Sequence, residues 1–238
     1  MGDRLENALD QGCRELELGL PANAQTKLLH YLHLLAKWNK SFNLSGVTDI
    51  RQMVPLHLLD SLAVVPHLAR LSSSLESPTR VLDIGSGAGL PGIPLAIAFP
   101  DTRFVLLDSN GKKTRFLFQA KIALELENLE IVNARVDDYL RADSSLVGSS
   151  ENPFKSPLES PFESPLESPL QDQGKTNALS IGLVTCRAFA TLKDIVTMTA
   201  PLLDSGTKLL AMKGVYPHDE IAELPSSLAI EEVIELRV

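Results

Sequence analysis

The sequence predicts an α/β protein with a doubly wound, mainly parallel sheet. From about residue 77 onward, short apolar runs alternate with helical patterns, and this alternation is typical of parallel strands joined by helices. A glycine-rich stretch at 85–89 follows the first apolar run directly, at the point where such a fold makes a tight turn. The preceding residues show helical patterns alone.

Residues 1–76 are therefore predicted to be wholly helical. Two runs repeat apolar residues every three or four positions, which places them on one face of an amphipathic helix. The first run consists of Leu28, Tyr31, Leu32, Leu35 and Trp38, and the second of Leu56, Leu59, Leu62, Ala63 and Leu68. We expect this region to form a helical cap over one side or end of a sheet domain, residues 77–238.

The elements of the sheet domain follow in a regular order. Apolar runs predict strands at 81–84, 104–107, 131–132, 181–185, 208–212 and 230–236. Helical patterns occupy 93–98, 112–127, 191–203 and 218–224. A repeated order of strand, helix and strand implies crossover connections, and hence parallel neighbours in one sheet.

A repetitive segment separates the third and fourth predicted strands. Proline recurs at every fourth position from Pro153 to Pro169, mostly after serine. Proline removes backbone donors and biases the preceding residue toward extended conformations. We therefore predict a disordered insert rich in Pro, Ser and Glu at about 143–177, whose deletion should leave folding and activity largely intact.

Composition indicates in which cellular compartment we expect the protein and which partners it could bind. No apolar run is long enough to span a membrane, and the N-terminus lacks the order of a signal peptide. Cys13 and Cys186 lie far apart without a cluster of metal ligands, so we predict no metal site and a reducing, cytoplasmic location. The net charge of −8 argues against a nucleic-acid partner, but 143–175 alone carries −4, with six acidic and two basic residues.

The glycine-rich turn predicts a site for a nucleoside. Gly85, Gly87 and Gly89 permit a tight turn and let a ligand approach the main chain closely. Asp108 ends the second predicted strand, nineteen residues after Gly89. A carboxylate at that position can accept hydrogen bonds from both hydroxyls of a ribose.

Asp83 bears on which nucleoside would bind. A dinucleotide lays its pyrophosphate on such a turn, and a carboxylate two residues before the first glycine would repel it. S-adenosylmethionine has no phosphate and carries ammonium and sulfonium groups, whose positive charges an acidic side chain attracts. The pattern favours this methyl donor, while an NAD-dependent oxidoreductase and an inactive nucleoside-binding protein remain alternatives. Asp83 could also simply cap a turn by bonding nearby amides.

Several strings of the sequence resemble one family of enzymes. They are Trp38-Asn39-Lys40 with Asn43-Leu44, His57 to Leu62, Leu82 to Pro94, Leu107-Asp108-Ser109 with Lys112 to Leu117, Arg187 to Ala190, and Lys213-Gly214. Across about 20–237, apart from the insert, the chain is similar to the RsmG, or GidB, family of 16S ribosomal RNA guanine-N7 methyltransferases. The Gly-Leu-Pro-Gly-Ile-Pro string from Gly89 and the Arg-Ala-Phe-Ala string from Arg187 are specific to that family among methyltransferases.

The resemblance implies a class I methyltransferase fold, which is Rossmann-like, and S-adenosyl-L-methionine as the cofactor. It implies methylation of N7 of one guanine in the decoding-site loop of 16S rRNA, with the 30S ribosomal subunit as partner. The family's cofactor contacts fall on Gly85, Leu90, Val136, Asp137 and Arg187, with Asp108 on the ribose. Together with Asp83, Gly87 and Gly89, these are the predicted cofactor-binding residues.

The implied reaction needs no general base, because N7 of guanine carries a free lone pair at neutral pH. The rate must come mainly from holding N7 in line with the methyl group and from excluding water. Arg187 and Lys213 close strands at the ligand-binding edge and are predicted to position the base or its phosphates. Asn43 and His57 are predicted to reach in from the cap, although His57 could instead only brace a helix face that it shares with Asp60.

The resemblance also implies that one element is missing. In the family the chain continues beyond the position of Val238 into a last antiparallel strand, which lies between the strands that would be 206–212 and 229–237 here. We therefore expect an apolar edge to be exposed near 230–236. Nothing in the sequence implies an oligomer, and we expect a monomer.

Overall fold

The computed structural model describes residues 2–73, 80–145 and 180–236. Its helices are α1 (Gly2–Glu15), α2 (Ala22–Phe42), α3 (Ile50–Met53), a π-helical turn (Val54–Leu59), α4 (Asp60–Leu62), α5 (Val65–Ser73), α6 (Gly92–Ala98), α7 (Gly111–Ala123), α8 (Val136–Ser145), α9 (Leu192–Leu203) and α10 (His218–Ala222). Its strands are β1 (Arg80–Ile84), β2 (Arg103–Leu107), β3 (Leu129–Val132), β4 (Ile181–Arg187) and β5 (Lys208–Met212).

The five strands form one sheet in the order β3-β2-β1-β4-β5. Every neighbouring pair runs parallel, with Val81 beside Phe104 of β2 and beside Leu183 of β4. The chain moves from β1 outward to β3 and then crosses to the other side of β1 to make β4. The predicted doubly wound parallel sheet is therefore confirmed.

Alternate residues of each strand face two different layers of the core. Val81 and Phe104 belong to a large buried cluster that also contains residues of the cap and of α6 and α7. Leu82 and Val105 belong to a second cluster that contains residues of α8 and α9. Both faces of the central strands are thus covered, which is why their sequences are nearly continuous apolar runs.

The cap is helical as predicted, and most of its predicted core faces are buried. Leu28, Leu32 and Leu35 of α2 are fully buried. Leu56, however, was expected on a buried face and is half exposed. It lies in the π-helical turn, which adds a residue per turn and so moves Leu56 off the face predicted from an α-helical period.

The structure corrects the prediction at two places. Helix α8 was not predicted, and because it continues to Ser145 the first three residues of the expected insert are helical; the remainder of 143–177 lies outside the described residues. The strand expected at 230–236 is wrong, since this stretch has no regular structure. A strand needs a hydrogen-bonded neighbour, and among the described strands the sheet ends at β5.

The segment at 230–236 nevertheless stays near the sheet. Glu231 forms an ion pair with Lys208 of β5 at 2.8 Å, and Glu232 pairs with Arg70 of α5. Its apolar side chains, among them Ile230 and Val233, are exposed, as expected for an apolar edge without a partner. No helix in the described part of the chain is long and apolar enough to cross a membrane.

Candidate active site at the carboxyl edge of the sheet

The topology brings the predicted site residues to one edge of the sheet. In a parallel sheet all carboxyl ends meet at the same edge, and a crevice opens where the strand order reverses, here between β1 and β4. The glycine turn follows β1, Asp108 follows β2, Val136 and Asp137 begin the helix after β3, Arg187 ends β4 and Lys213 follows β5.

The three glycines of the turn all have positive φ angles, of 66°, 59° and 89°, but each meets a different neighbour. A Cβ on Gly89 would lie 2.5 Å from Ile93, so this glycine allows the helix to pack closely. A Cβ on Gly85 would lie 2.0 Å from the ring of Phe189. Only above Gly87 is the space open, with no atom nearer than 3.7 Å. Gly87 is therefore the glycine that leaves room for a ligand.

Asp108 lies against this opening. Its Oδ2 accepts a hydrogen bond from the Gly87 amide at 2.9 Å, and its Oδ1 accepts one from the Asn110 amide at 2.8 Å. Lys113 Nζ lies 4.0 Å from Oδ2. Because each carboxylate oxygen has a second lone pair, Asp108 can still accept hydrogen bonds from the hydroxyls of a ribose.

Asp83 is placed differently from its predicted role. Its side chain is fully buried; its Oδ2 accepts from the Gly92 amide at 3.2 Å, and its Oδ1 accepts from Thr185 Oγ1 at 3.3 Å. Burial raises the pKa of Asp83 to about 7. The carboxyl thus supports the glycine turn from beneath, in the manner of the capping alternative, and it is only partly ionised near neutral pH.

Arg187 reaches from the end of β4 to the cap. Its Nη1 pairs with Asp60 Oδ2 at 2.8 Å, and its Nη2 donates to the Leu56 carbonyl at 3.1 Å. The same Nη2 lies 3.4 Å from His57 Nδ1. The Leu56 carbonyl belongs to the π-helical turn, a feature that often occurs at functional sites. Arg187 therefore fastens the cap to the strand end, and a fifth of its side chain stays exposed.

His57 acts as a brace in this arrangement. Its Nδ1 is 2.9 Å from the Leu56 carbonyl, which can only accept, so Nδ1 carries the proton. Its Nε2 then accepts from Ser45 Oγ at 2.6 Å. Burial lowers the pKa of His57, which favours the neutral ring. One ring nitrogen thus binds within the π-helical turn, and the other holds the loop that follows α2.

Lys213 is held within the protein as well. Its Nζ pairs with Glu220 Oε2 at 2.6 Å and donates to the Ala190 carbonyl at 3.0 Å. The same Glu220 oxygen accepts from the Leu192 amide at 2.6 Å. Lys213 therefore joins α10 to the segment that follows β4, and Glu220 joins α10 to the start of α9.

Asn43 and the remaining cofactor candidates complete the edge. Asn43 is exposed, takes a left-handed conformation with φ 49°, and ends α2 by donating its backbone N–H to Asn39. Among the described residues, its side chain makes no hydrogen bond to a residue of the crevice. Leu90 and Val136 are buried, whereas Asp137 is exposed in the first turn of α8.

Sequence reasoning missed two residues of the site. Tyr31 Oη donates to the Ala88 carbonyl in the glycine turn at 2.8 Å, but the sequence pattern shows only that Tyr31 lies on a buried helix face. Phe189 covers Gly85, and 37% of its surface is exposed. The sequence could have indicated this residue, because it lies two residues after Arg187, at the end of a strand beside β1. The intervening Ala188 has a φ of 48°.

The fold and this edge define a class of protein: a doubly wound α/β protein with open space above its glycine turn at Gly87, bordered by an acid that follows the second strand. Comparisons with known proteins narrow the class to one family. The sequence profile of rRNA small subunit methyltransferase G, also called GidB, matches residues 24–147 and 163–238. The chain belongs to this family, and the resemblance seen in its motifs is confirmed.

Its relatives carry the same description. The chain is 43% identical over 228 residues to a ribosomal RNA small subunit methyltransferase G of Ectopseudomonas mendocina, covering 96% of this chain and 87% of that protein. It is 43% identical over 223 residues to one of Pseudomonas aeruginosa strain LESB58, covering 94% and 84%. It is 41% identical over 219 residues to one of Cellvibrio japonicus, covering 92% and 82%.

Proposed function

We propose that this protein transfers a methyl group from S-adenosylmethionine to N7 of a guanine in the decoding-site loop of 16S ribosomal RNA, acting on the small ribosomal subunit. Membership of the methyltransferase G family supports this reaction and the ribosomal RNA substrate. The oxidoreductase alternative is not favoured, because the matching family consists of methyltransferases. Buried, unpaired cysteines, Cys13 and Cys186, suit the reducing cytoplasm.

The observation that carries the proposal is the open space above Gly87 beside Asp108. A side chain at Gly87 would fill this space, and the Asp108 carboxylate borders it. Both fit the adenosine half of the methyl donor, the ribose hydroxyls lying at Asp108. Val136 and Asp137, which begin the helix after the third strand, are proposed to border the adenine.

When bound, the donor supplies an electrophilic methyl group on a positively charged sulfur. The protein's part is to place the guanine so that its N7 lone pair faces that group. We assign this positioning to the end of β4, where Arg187 is fixed by Asp60, and to the segment after it, where Phe189 covers Gly85. A fixed strand end orients the base at little entropic cost, which is the main source of rate when no proton must be moved.

The buried acid beneath the turn has a separate role. Asp83 holds the Gly92 amide at the start of α6 and the Thr185 hydroxyl of β4, so it fixes the two strand ends that border the crevice. Its negative charge, when present, also favours a cationic ligand above the turn. We therefore place Asp83 among the cofactor-site residues, as a support under the turn.

The direct test is transfer of a labelled methyl group to 30S particles that lack their own modification, with the labelled nucleotide mapped. We expect label at one guanine N7 of 16S rRNA. Gly87→Asn should abolish transfer, because its side chain fills the opening while asparagine tolerates a positive φ. Gly206→Asn is the matched control, since Gly206 also has a positive φ, of 91°, and a Cβ there meets nothing within 4 Å. Label on another RNA, or none with the folded wild type, would contradict the proposal.

A further inference from the structure

Helices α2 and α7 together carry seven lysine and arginine residues. The protein has a net charge of −8, yet neither helix contains an acidic residue. Their basic residues are Lys27, Lys37 and Lys40 in α2, and Lys112, Lys113, Arg115 and Lys121 in α7. Two acid-free basic helices in an acidic protein create a local positive potential that the net charge hides.

The two helices pack side by side in opposite directions. The ring of Phe116 in α7 lies 6.3 Å from that of Tyr31 and 5.8 Å from that of Trp38. Near the other end of α7, Lys27 Nζ donates to the carbonyl of Glu125 at 3.3 Å. The C-terminal end of α2 therefore lies beside the N-terminal end of α7, and both ends carry exposed basic residues.

The N-terminal end of α7 borders the candidate active site. Lys113 Nζ lies 4.0 Å from Asp108 and 3.9 Å from the position of a Cβ on Gly87. Lys112 and Arg115, on the first turns of the same helix, are exposed, as are Lys37 and Lys40 on the last turns of α2. We call these four residues the basic rim.

The cations of the basic rim have no acidic partner among the described residues, unlike those on the other side of the crevice. Arg187 and Lys213 are paired with Asp60 and Glu220. The acid that shares a shallow depression with Lys37 and Lys40 is Asp49, and its carboxylate already pairs with Arg51 at 2.7 Å. Within the described ranges, the rim is thus a positive surface near the opening that no acidic side chain neutralises.

An exposed aromatic ring lies at the same end of α2. Phe42 is 44% exposed, and its ring is 5.1 Å from that of Trp38. Proteins that bind unpaired RNA combine cations along the backbone with aromatic rings on which bases stack. The rim supplies the cations and Phe42 supplies the aromatic ring, only two residues after Lys40.

We propose that the basic rim, Lys37, Lys40, Lys112 and Arg115, binds the phosphates of the RNA strand that flanks the methylated guanine. This inference rests on the proposed function and names the surface through which its RNA is held. Each phosphate neutralised by a cation releases condensed counterions, so the rim makes RNA affinity fall steeply with salt. The acidic remainder of the surface then repels RNA elsewhere and favours this one approach.

The test measures RNA binding without the methyl donor, over a series of salt concentrations, using protein-free 16S rRNA and 30S particles as probes. We expect Lys37→Gln/Lys40→Gln and Lys112→Gln/Arg115→Gln each to weaken binding about tenfold or more at low salt. Each should reduce the slope of log K against log salt by about 1 to 2, since each phosphate contact contributes about 0.7 to 0.9. Arg14→Gln/Lys193→Gln, which removes the same charge at exposed sites elsewhere, should change neither.

The same variants are then assayed for methyl transfer and for binding of S-adenosylhomocysteine. We expect a raised KM for the particle, with kcat at saturation and S-adenosylhomocysteine affinity unchanged. Wild-type affinity and salt slope in both rim variants would overturn the inference, as would an equal loss in the control. A loss on 30S particles but not on protein-free rRNA would assign the rim to a ribosomal protein and also overturn it. Failure of the wild type to transfer methyl groups would instead overturn the proposed function.

Discussion

The buried carboxyl of Asp83 makes the stability of this protein depend on pH, and the variant Asp83→Asn should remove that dependence. Burial raises its pKa from 3.8 to about 7 on folding. At about 1.4 kcal/mol per pKa unit, this difference corresponds to about 4 kcal/mol. Because the folded state binds the proton more tightly, the stabilisation is complete below about pH 4 and is lost as the pH rises through about 7.

The asparagine variant isolates this effect. Its amide has the shape of the carboxyl but cannot ionise: its oxygen can accept from the Gly92 amide, and its NH2 can donate to the Thr185 hydroxyl, which now accepts. The assay is the free energy of unfolding from urea titrations at pH 5, 6, 7 and 8. The difference between wild type and variant cancels the titration of all other groups.

We expect the stability of the wild type relative to the variant to fall by about 2 to 3 kcal/mol between pH 5 and 8, the rest of the change lying below pH 5. The m-values of the two proteins should agree, which shows that both unfold from the same folded state. A difference that stays constant over this range would show that Asp83 ionises inside the fold as it does in water.

Three further predictions concern the same edge of the sheet. S-adenosylmethionine should bind more tightly as the pH rises through about 7, because ionised Asp83 attracts a cation. Calorimetry in two buffers should record proton release on binding. An affinity that does not change between pH 6 and 8 would contradict this prediction. Gly85→Ala should destabilise the protein by about 1 to 3 kcal/mol, since it adds a Cβ at positive φ against Phe189; Phe189→Leu should recover part of that loss in a thermal melt, and additive effects would exclude the contact. Asp60→Asn should lower the free energy of unfolding by about 1 kcal/mol or less, because the ion pair between Asp60 and Arg187 is partly exposed. A loss above 3 kcal/mol in urea unfolding would contradict this, because it would show that the pair stabilises the cap more than a partly exposed ion pair can.

Local sequence patterns predicted the elements whose buried residues follow one simple spacing along the chain. Strand β5 occupies the predicted residues 208–212, and β1 and β2 each begin one residue earlier than expected, because buried parallel strands are continuous apolar runs. The stretch at 230–236 has apolar residues at 230, 233, 234 and 236 but pairs with none of the described strands. Strand formation depends on a neighbouring strand, and a run of residues alone does not contain it.

The site was predictable in position but not in detail. Because the carboxyl ends of parallel strands meet at one edge, the topology alone brought Asp108 and Arg187 to the glycine turn. Whether Asp83 faces the ligand or the core depends on a contact with Thr185, which is 102 residues away in sequence. The pairing of Arg187 with Asp60 likewise spans two regions that share no periodic pattern. Such long-range polar contacts leave no trace in local sequence.

These contacts give the cap a definite part in the site. Tyr31 is fully buried and donates to the Ala88 carbonyl within the glycine turn; burial raises its pKa, so its hydroxyl remains a donor at any physiological pH. Asp60 and the Leu56 carbonyl fix Arg187 at the next strand end. A carbonyl or guanidinium that lost these partners would have to find water or move. The cap therefore determines the shape of the crevice from both sides, and changes in its helices should alter ligand binding even where they touch no ligand.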